Sequence, residues 1–220
     1  MKTYGKITTA LIGAWFAFAL SASALHLFEN PSNRIGAAVG IAALAPIVLF
    51  SLWFATSDRF REFALSLNPR TLTYLQSLRV VGIVFVILEA RGVLPAIFAL
   101  PAGYGDIAIG VTASFVAWRF ANRSRRASFI LWQALGMADL VNAVGLGITA
   151  GLIGPHSVPM AAMTVLPLSL IPTFFVPLFL IFHVICIAQA RAWKGVSGDI
   201  RDTAGRAQAF VTERFQSRRA

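Results

Sequence analysis

Residues 35–56, IGAAVGIAALAPIVLFSLWFAT, carry no charged side chain. A helix needs about 20 mainly apolar residues to cross a hydrocarbon core of roughly 30 Å, and this stretch is long enough. Apolar residues occupy every face of such a helix, which therefore needs lipid or other protein around it. The stretch predicts a transmembrane helix and decides the fold class.

Five further stretches of the chain are similarly apolar. They are residues 7–28, 68–91, 106–118, 128–150 and 163–190. The first also resembles a signal peptide, with small residues near Ala24, but we expect it to be retained as a membrane span. The sequence thus predicts an all-α, polytopic bundle of six transmembrane helices within residues 1–193.

The composition supports this class and argues against others. Hydrophobic residues make up 57% of the chain and charged residues 13%, against about 25% charged in ordinary soluble domains. The net charge of +10 does not indicate nucleic acid, because the basic residues lie between apolar runs instead of forming one patch. Cys186 is the only cysteine, which excludes an intrachain disulfide and a site of several thiolates.

The distribution of basic residues predicts the orientation, because cytoplasmic loops carry an excess of Lys and Arg. With both termini in the cytoplasm, only Arg34 and Arg91 fall on the outer side. The cytoplasmic side would hold Lys2, Lys6, Arg59, Arg61, Arg70, Arg119, Arg123, Arg125, Arg126 and the seven basic residues from Arg191 onward. We expect a multi-pass protein of a bacterial-type inner membrane.

Three segments between or after the spans carry their own patterns. Residues 57–68 place aromatic and charged side chains on opposite helical faces, which predicts an interfacial helix. Residues 92–105 are apolar but contain two prolines and three glycines, so a re-entrant segment and an outer loop both remain open. Residues 194–220 predict a basic amphipathic tail on the anionic lipids of the inner leaflet. A disordered tail is the alternative.

Ionisable groups inside membrane spans are costly and usually face the bundle interior, so they are candidate functional residues. At 1.5 Å per residue, three of them lie roughly 10–17 Å from the cytoplasmic ends of their spans: Arg79 in span three, Asp139 in span five and His183 in span six. Asp106 joins them if the short fourth span begins below the outer surface. The predicted polar cluster is Arg79, Asp106, Asp139, Asn142 and His183. Its alternative is a purely structural ion pair between Arg79 and an aspartate.

Other known kinds of site fit less well. Residues 103–106, Gly-Tyr-Gly-Asp, look like a potassium-channel filter, but Pro101 and Ala102 stand where that family has a threonine and a valine. His183 has no second histidine at a matching depth, which argues against a haem, and no motif predicts a metal site. No catalytic residue and no cofactor can be assigned from the sequence.

Several strings resemble an uncharacterised family of bacterial multi-pass inner-membrane proteins. They are residues 79–82, 94–99, 102–106, 135–140 and 171–177, which read RVVG, LPAIFA, AGYGD, LGMADL and IPTFFVP. The resemblance covers spans three to six. It implies no activity, ligand or partner, because the family has no assigned function.

Two functions from different classes remain. The first is a small transporter or permease coupled to protons or cations, in which buried carboxylates such as Asp139 bind or relay the ion. The second is an accessory or scaffold subunit of a larger membrane complex that binds lipid, quinone or pigment. Either would allow a homo-oligomer. A membrane enzyme acting on lipid is less well supported, since no nucleophile and base stand together in the sequence.

Overall fold

The computed structural model describes residues 2–29, 36–152 and 159–193, and this part of the chain contains helices and no strands. The α-helices are α1 (Lys2–Ala24), α2 (Ala37–Thr56), α3 (Asp58–Leu65), α4 (Pro69–Leu75), α5 (Ile83–Ala90), α6 (Ala96–Arg119), α7 (Arg126–Leu152) and α8 (Val176–Ala192). Short 3₁₀-helices cover Gln76–Gly82, Arg123–Arg125 and Met160–Thr164, and a π-helical turn covers Ile171–Phe175. The predicted tail at 194–220 lies outside the described residues.

Six helical stretches are long and apolar enough to cross a membrane. They are Thr3–Ala24, Ala37–Thr56, Pro69–Ala90, Ala96–Arg119, Arg123–Ala150 and Ile171–Ala192. The third comprises α4, the 3₁₀-helix Gln76–Gly82 and α5. The prediction of an all-α bundle with six membrane-spanning helices is confirmed.

The predicted start of the fourth span at Asp106 is wrong. Helix α6 begins at Ala96, so the bend between spans three and four is confined to residues 91–95, where Gly92 has a φ of 70°. Residues 96–105, for which we considered a re-entrant segment and an outer loop, form the first turns of α6. Pro101 lies inside this helix, and Gly103 allows it to pack closely on the third span. Proline and glycine favoured a break in the helix here, but the helix is continuous, and Gly103 leaves space for close packing against the third span.

The sixth span also starts later than predicted. Its continuous helical part begins at Ile171 instead of Met163, which belongs to the 3₁₀-helix Met160–Thr164. Pro172 and Pro177 are the second residues of the π-helical turn and of α8. Proline has no backbone N–H to donate, so it is tolerated where a helical segment begins.

Helix α3 forms where an interfacial helix was predicted. The Ser57 hydroxyl accepts a hydrogen bond from the Phe60 amide at 3.3 Å and caps its N-terminus. Phe60 and Ala64 are buried against the bundle, while Arg59 and Glu62 on the other face are exposed. The amphipathic pattern is therefore realised as a short helix beside the spans.

The core of spans three to six has two apolar clusters. One contains Ala64, Leu72, Val116, Ala121, Phe129, Ile185, Cys186 and Ala190. The other contains Phe85, Leu94, Phe98, Ala99, Ala102, Ala150, Met160 and Met163. By position along the helices, the buried Arg79 lies between them. Apolar packing therefore separates this charge from both ends of the bundle.

Gly110 on α6 is predicted to be intolerant of any side chain. A Cβ atom there would lie 2.5 Å from the backbone nitrogen of Val80, which cannot move without bending the 3₁₀-helix. We expect Gly110→Ala to lower the free energy of unfolding by about 1–3 kcal/mol, as overpacking typically does. Thermal unfolding in detergent measures this effect. Gly145→Ala is the control, since a Cβ there meets nothing within 4 Å. Equal melting temperatures for the two variants would contradict the close contact.

Candidate functional site

Arg79 is the centre of the buried polar residues. It lies on the 3₁₀-helix Gln76–Gly82 and is only 3% exposed. Its guanidinium donates three hydrogen bonds to spans four and five: Nε donates to Asp106 Oδ1 at 2.7 Å, Nη1 donates to the Gly136 carbonyl at 3.2 Å, and Nη2 donates to Asp139 Oδ2. One side chain thus ties spans three, four and five together.

His183 on α8 completes the contacts of the guanidinium. Its Nε2 lies 3.4 Å from Arg79 Nη1, and because arginine can only donate, Nε2 is the acceptor. Its Nδ1 lies 2.6 Å from the amide oxygen of Gln133, which can only accept, so Nδ1 carries the proton. The imidazole is therefore neutral in this arrangement and adds no charge to the site.

The hydrogen bonds continue from His183 in one direction. Gln133 Nε2 donates to Thr73 Oγ1 at 2.9 Å, and this hydroxyl donates to the Pro69 carbonyl at 2.8 Å. Every donor along this chain points away from Arg79. Because the guanidinium and the amide of Gln133 do not release protons, the chain positions the His183 ring and does not conduct protons.

The two aspartates share one edge of the guanidinium. Nε–H and Nη2–H are neighbouring donors of a planar fork, and a single carboxylate often accepts from such a pair. Here each donor goes to a different carboxylate, Asp106 at Nε and Asp139 at Nη2. The arrangement brings two carboxyl groups side by side. It also leaves Asp106 Oδ2 and Asp139 Oδ1 outside the ion pairs with Arg79.

The charges of the site cancel only if one carboxylate is protonated or binds a cation. One guanidinium and two ionised carboxylates sum to −1, since His183 is neutral. An uncompensated charge in a medium of low dielectric constant is costly, and binding of one proton or one monovalent cation would balance it. The side chains of Asp106 and Asp139 are 15% and 17% exposed, against 1% for Arg79. The carboxylates are thus the accessible part of the site.

Three glycines make room for these side chains. A Cβ atom on Gly105 would lie 1.8 Å from Asp139 Oδ1, and one on Gly82 would lie 2.4 Å from Asp106 Cβ. A Cβ atom on Gly136 would lie 2.5 Å from His183 Cε1. Each glycine belongs to a different span and faces a charged or polar side chain of the site. The site therefore depends on close approach of the three backbones.

The structure brings together four of the five predicted residues, namely Arg79, Asp106, Asp139 and His183. Asp106 lies in the middle of its span because α6 starts ten residues earlier than predicted. Asn142 is exposed and lies outside this network. Three residues along a helix correspond to a rotation of 300°, so Asn142 is turned about 60° away from Asp139. That rotation moves it out of the interior.

Sequence reasoning missed Gln133, Thr73 and Gly136. Gln133 and Thr73 are buried at 0% exposure and link His183 to the start of the third span. The available sequence signal for both was a polar residue within an otherwise apolar span. Gly136 contributes only a carbonyl oxygen, which no side-chain pattern reveals.

The described ranges contain no group of three or more His, Cys, Asp and Glu side chains that could hold a metal ion. The site instead offers carboxylate oxygens beside a fixed cation.

Comparison with known proteins identifies one family. The model of a family described as a domain of unknown function (DUF8737) matches residues 34–191. This range extends over the second span as well as the four that form the site. No curated protein and no solved structure matches the chain.

Proposed function

The chain belongs to the DUF8737 family, and from the charges around Arg79 we propose that it is a small membrane transporter coupled to protons or monovalent cations. The protein would act in a bacterial-type inner membrane with both termini in the cytoplasm, as the distribution of basic residues favours. Asp106 and Asp139 are the proposed ion-binding groups. Arg79 is their fixed partner.

The observation that carries this proposal is the sharing of one guanidinium edge by two carboxylates. A site built only to neutralise Arg79 needs one carboxylate, and a single aspartate could accept from both donors. The second carboxylate adds a negative charge at about the middle of the spans. Ionisable groups in such positions commonly mark ion and proton pathways.

Ion binding would change the contacts between spans. A proton or cation bound to the carboxylate oxygen that does not contact Arg79 weakens the attraction of that carboxylate for Arg79. Because Asp106 is on α6 and Asp139 is on α7, their hold on the third span would change with occupancy. A ligand shifts a conformational equilibrium only through such differential contacts. The site therefore offers a physical link between ion binding and helix movement.

Reconstituted vesicles test this function. We expect Asp139→Asn to reduce proton or monovalent-cation flux at least tenfold, because the amide removes the negative charge that the ion would balance. Flux is followed with an internal pH-sensitive dye and with radioactive rubidium, in the presence of an imposed gradient.

Asp58→Asn is the matched control, since Asp58 is an exposed aspartate on α3 paired with Arg61. It should leave flux unchanged. Both proteins are compared by thermal unfolding to show that they remain folded. Equal flux through Asp139→Asn and the parent protein, or no flux above that of empty vesicles in the parent, would rule out the proposal.

A further inference from the structure

Two carboxylate oxygens of the site, Asp106 Oδ2 and Asp139 Oδ1, lie outside the ion pairs with Arg79. A bound ion has to contact at least one of them. The proposed function allows two kinds of ion, a proton and a monovalent metal cation, which differ in the space and in the number of ligands that they need. The packing around the two oxygens therefore distinguishes between these ions.

Asp139 Oδ1 is packed against the backbone of α6. A Cβ atom on Gly105 would lie 1.8 Å from this oxygen and 2.6 Å from Asp139 Cγ. The oxygen therefore occupies the space that a side chain at position 105 would fill. No room for a metal ion with its own ligands remains between Asp139 and α6.

Asp106 is packed in a similar way against the third span. A Cβ atom on Gly82 would lie 2.4 Å from Asp106 Cβ and 3.1 Å from Oδ2. Protein interiors leave few voids as large as a water molecule, and here the absence of a side chain on Gly82 leaves space for the aspartate alone. Both oxygens that could take an ion thus lie against a neighbouring backbone at a glycine.

A metal cation at these oxygens would lack ligands. Hard cations bind through a shell of oxygen atoms, about six to eight for Ca²⁺, and a potassium filter replaces the whole water shell with carbonyl groups. The Gly136 carbonyl already accepts from Arg79. The amide oxygen of Gln133 already pairs with His183. In the part of the chain that the structure describes, no histidine, cysteine or third carboxylate joins the two aspartates in a group that could hold a metal ion.

The guanidinium also opposes a metal cation beside it. Arg79 Nε lies 2.7 Å from Asp106 Oδ1, and arginine keeps its charge in proteins. Like charges a few ångströms apart repel strongly where the dielectric constant is low. A proton avoids this cost, because it forms a covalent O–H bond with one lone pair and cancels the carboxylate charge at the atom that carries it. It needs no shell of further ligands.

We propose that the site takes one exchangeable proton per chain and does not bind sodium, potassium or rubidium. This assignment rests on the proposed function and narrows its ion to a proton. The proton forms an O–H bond with a carboxylate oxygen of Asp106 or Asp139 as an O–H bond of a hydronium ion breaks, and release to water reverses the exchange. The two aspartate side chains are 15% and 17% exposed, which gives a proton access to them.

Infrared spectroscopy of the purified protein as a function of pH tests the assignment, because a protonated carboxyl group has a C=O stretching band of its own. Subtracting the spectrum of a variant isolates the band of the site. We expect loss of the same band in Asp139→Asn and in Asp106→Asn, since Arg79 neutralises the one carboxylate that remains. Absence of such a band from the parent protein would overturn the proposal.

Competition with metal cations is the second measurement, and it needs no variant. Excess sodium chloride or rubidium chloride, compared with choline chloride at the same ionic strength, should leave the midpoint of the band unchanged. A metal cation bound to the same carboxylates would displace the proton and move the midpoint to lower pH. Such a shift would contradict a site that takes only protons.

Asp58→Asn is the matched control for loss of one carboxylate, because Asp58 is exposed and paired with Arg61 on α3. It should retain the band. Thermal unfolding establishes that each variant is folded. If Asp139→Asn is not, Asp106→Asn and the salt competition in the parent protein decide.

Flux into vesicles separates a failure of this assignment from a failure of the proposed function. Rubidium uptake that Asp139→Asn abolishes would overturn the proton assignment and support transport. Absence of both proton and rubidium flux from the parent protein would overturn transport, and the infrared band would then establish or overturn the proton site by itself.

Discussion

Arg79→Leu is expected to lower the free energy of unfolding by roughly 3–5 kcal/mol, the typical effect of removing one partner of a buried ion pair. The substitution leaves two neighbouring carboxylates without a cation and the Gly136 carbonyl without its donor. It also removes the hydrogen bond to His183 Nε2. Thermal unfolding in detergent and the yield of folded protein measure the effect.

Arg70→Leu is the control for loss of a positive charge. Arg70 lies at the start of the same span and is exposed, so its replacement should change stability by no more than about 0.5 kcal/mol. A similar melting temperature for Arg79→Leu and Arg70→Leu would contradict a buried ionic network.

The triple variant Arg79→Leu/Asp106→Asn/Asp139→Asn separates stability from function. Replacing a whole buried ionic group by neutral residues is often neutral or stabilising, whereas removing one member is not. We therefore expect the triple variant to regain much of the stability lost in Arg79→Leu. It should still lack ion flux, because neither carboxylate remains. Recovery of both stability and flux would assign the three residues a purely structural role.

Gly105→Ala is expected to have the second largest effect. The added Cβ would lie 1.8 Å from Asp139 Oδ1 and 2.6 Å from its Cγ, so α6 and α7 must separate or the carboxylate must turn away. Either change weakens the ion pair between Asp139 and Arg79. We expect a loss of roughly 2–4 kcal/mol in unfolding free energy, combining overpacking with damage to a buried pair. Unfolding in detergent provides the measurement.

Gly13→Ala is the matched control, because a Cβ at Gly13 on α1 meets nothing within 4 Å. A double-mutant cycle locates the damage more closely. If Gly105→Ala acts through Asp139, then Asp139→Ala should cost less in the Gly105→Ala background than in the parent protein. Strict additivity of the two substitutions would show that Gly105 acts elsewhere.

Taken together, these variants distinguish a site that needs its excess charge from one that only needs a neutralised arginine. The carboxylates matter for flux in the first case and only for stability in the second. Because Asp106 and Asp139 are partly exposed while Arg79 is not, ions would reach the site from the carboxylate side. Loss of flux in an Asp139→Asn protein that remains folded is the combination that the proposed function requires.

The sequence alone determined the fold class and the number of spans. A run such as residues 35–56 crosses a membrane because of its own length and apolarity, whatever its neighbours are. The sequence also indicated that Arg79, Asp139 and His183 lie at similar depths, since depth follows from position along each helix at 1.5 Å per residue. These properties belong to single helices.

The tertiary structure decided which of these groups meet. Asn142 was expected to join Asp139, but the rotation of α7 leaves it exposed, and Asp106 reaches the middle of its span only because residues 96–105 are helical. The pairing of both aspartates with one guanidinium depends on how closely three backbones approach at Gly82, Gly105 and Gly136. Rotation and approach are set jointly by the packing of several helices. For that reason the sequence could place the charges at one depth, while only the assembled bundle pairs two carboxylates with one guanidinium.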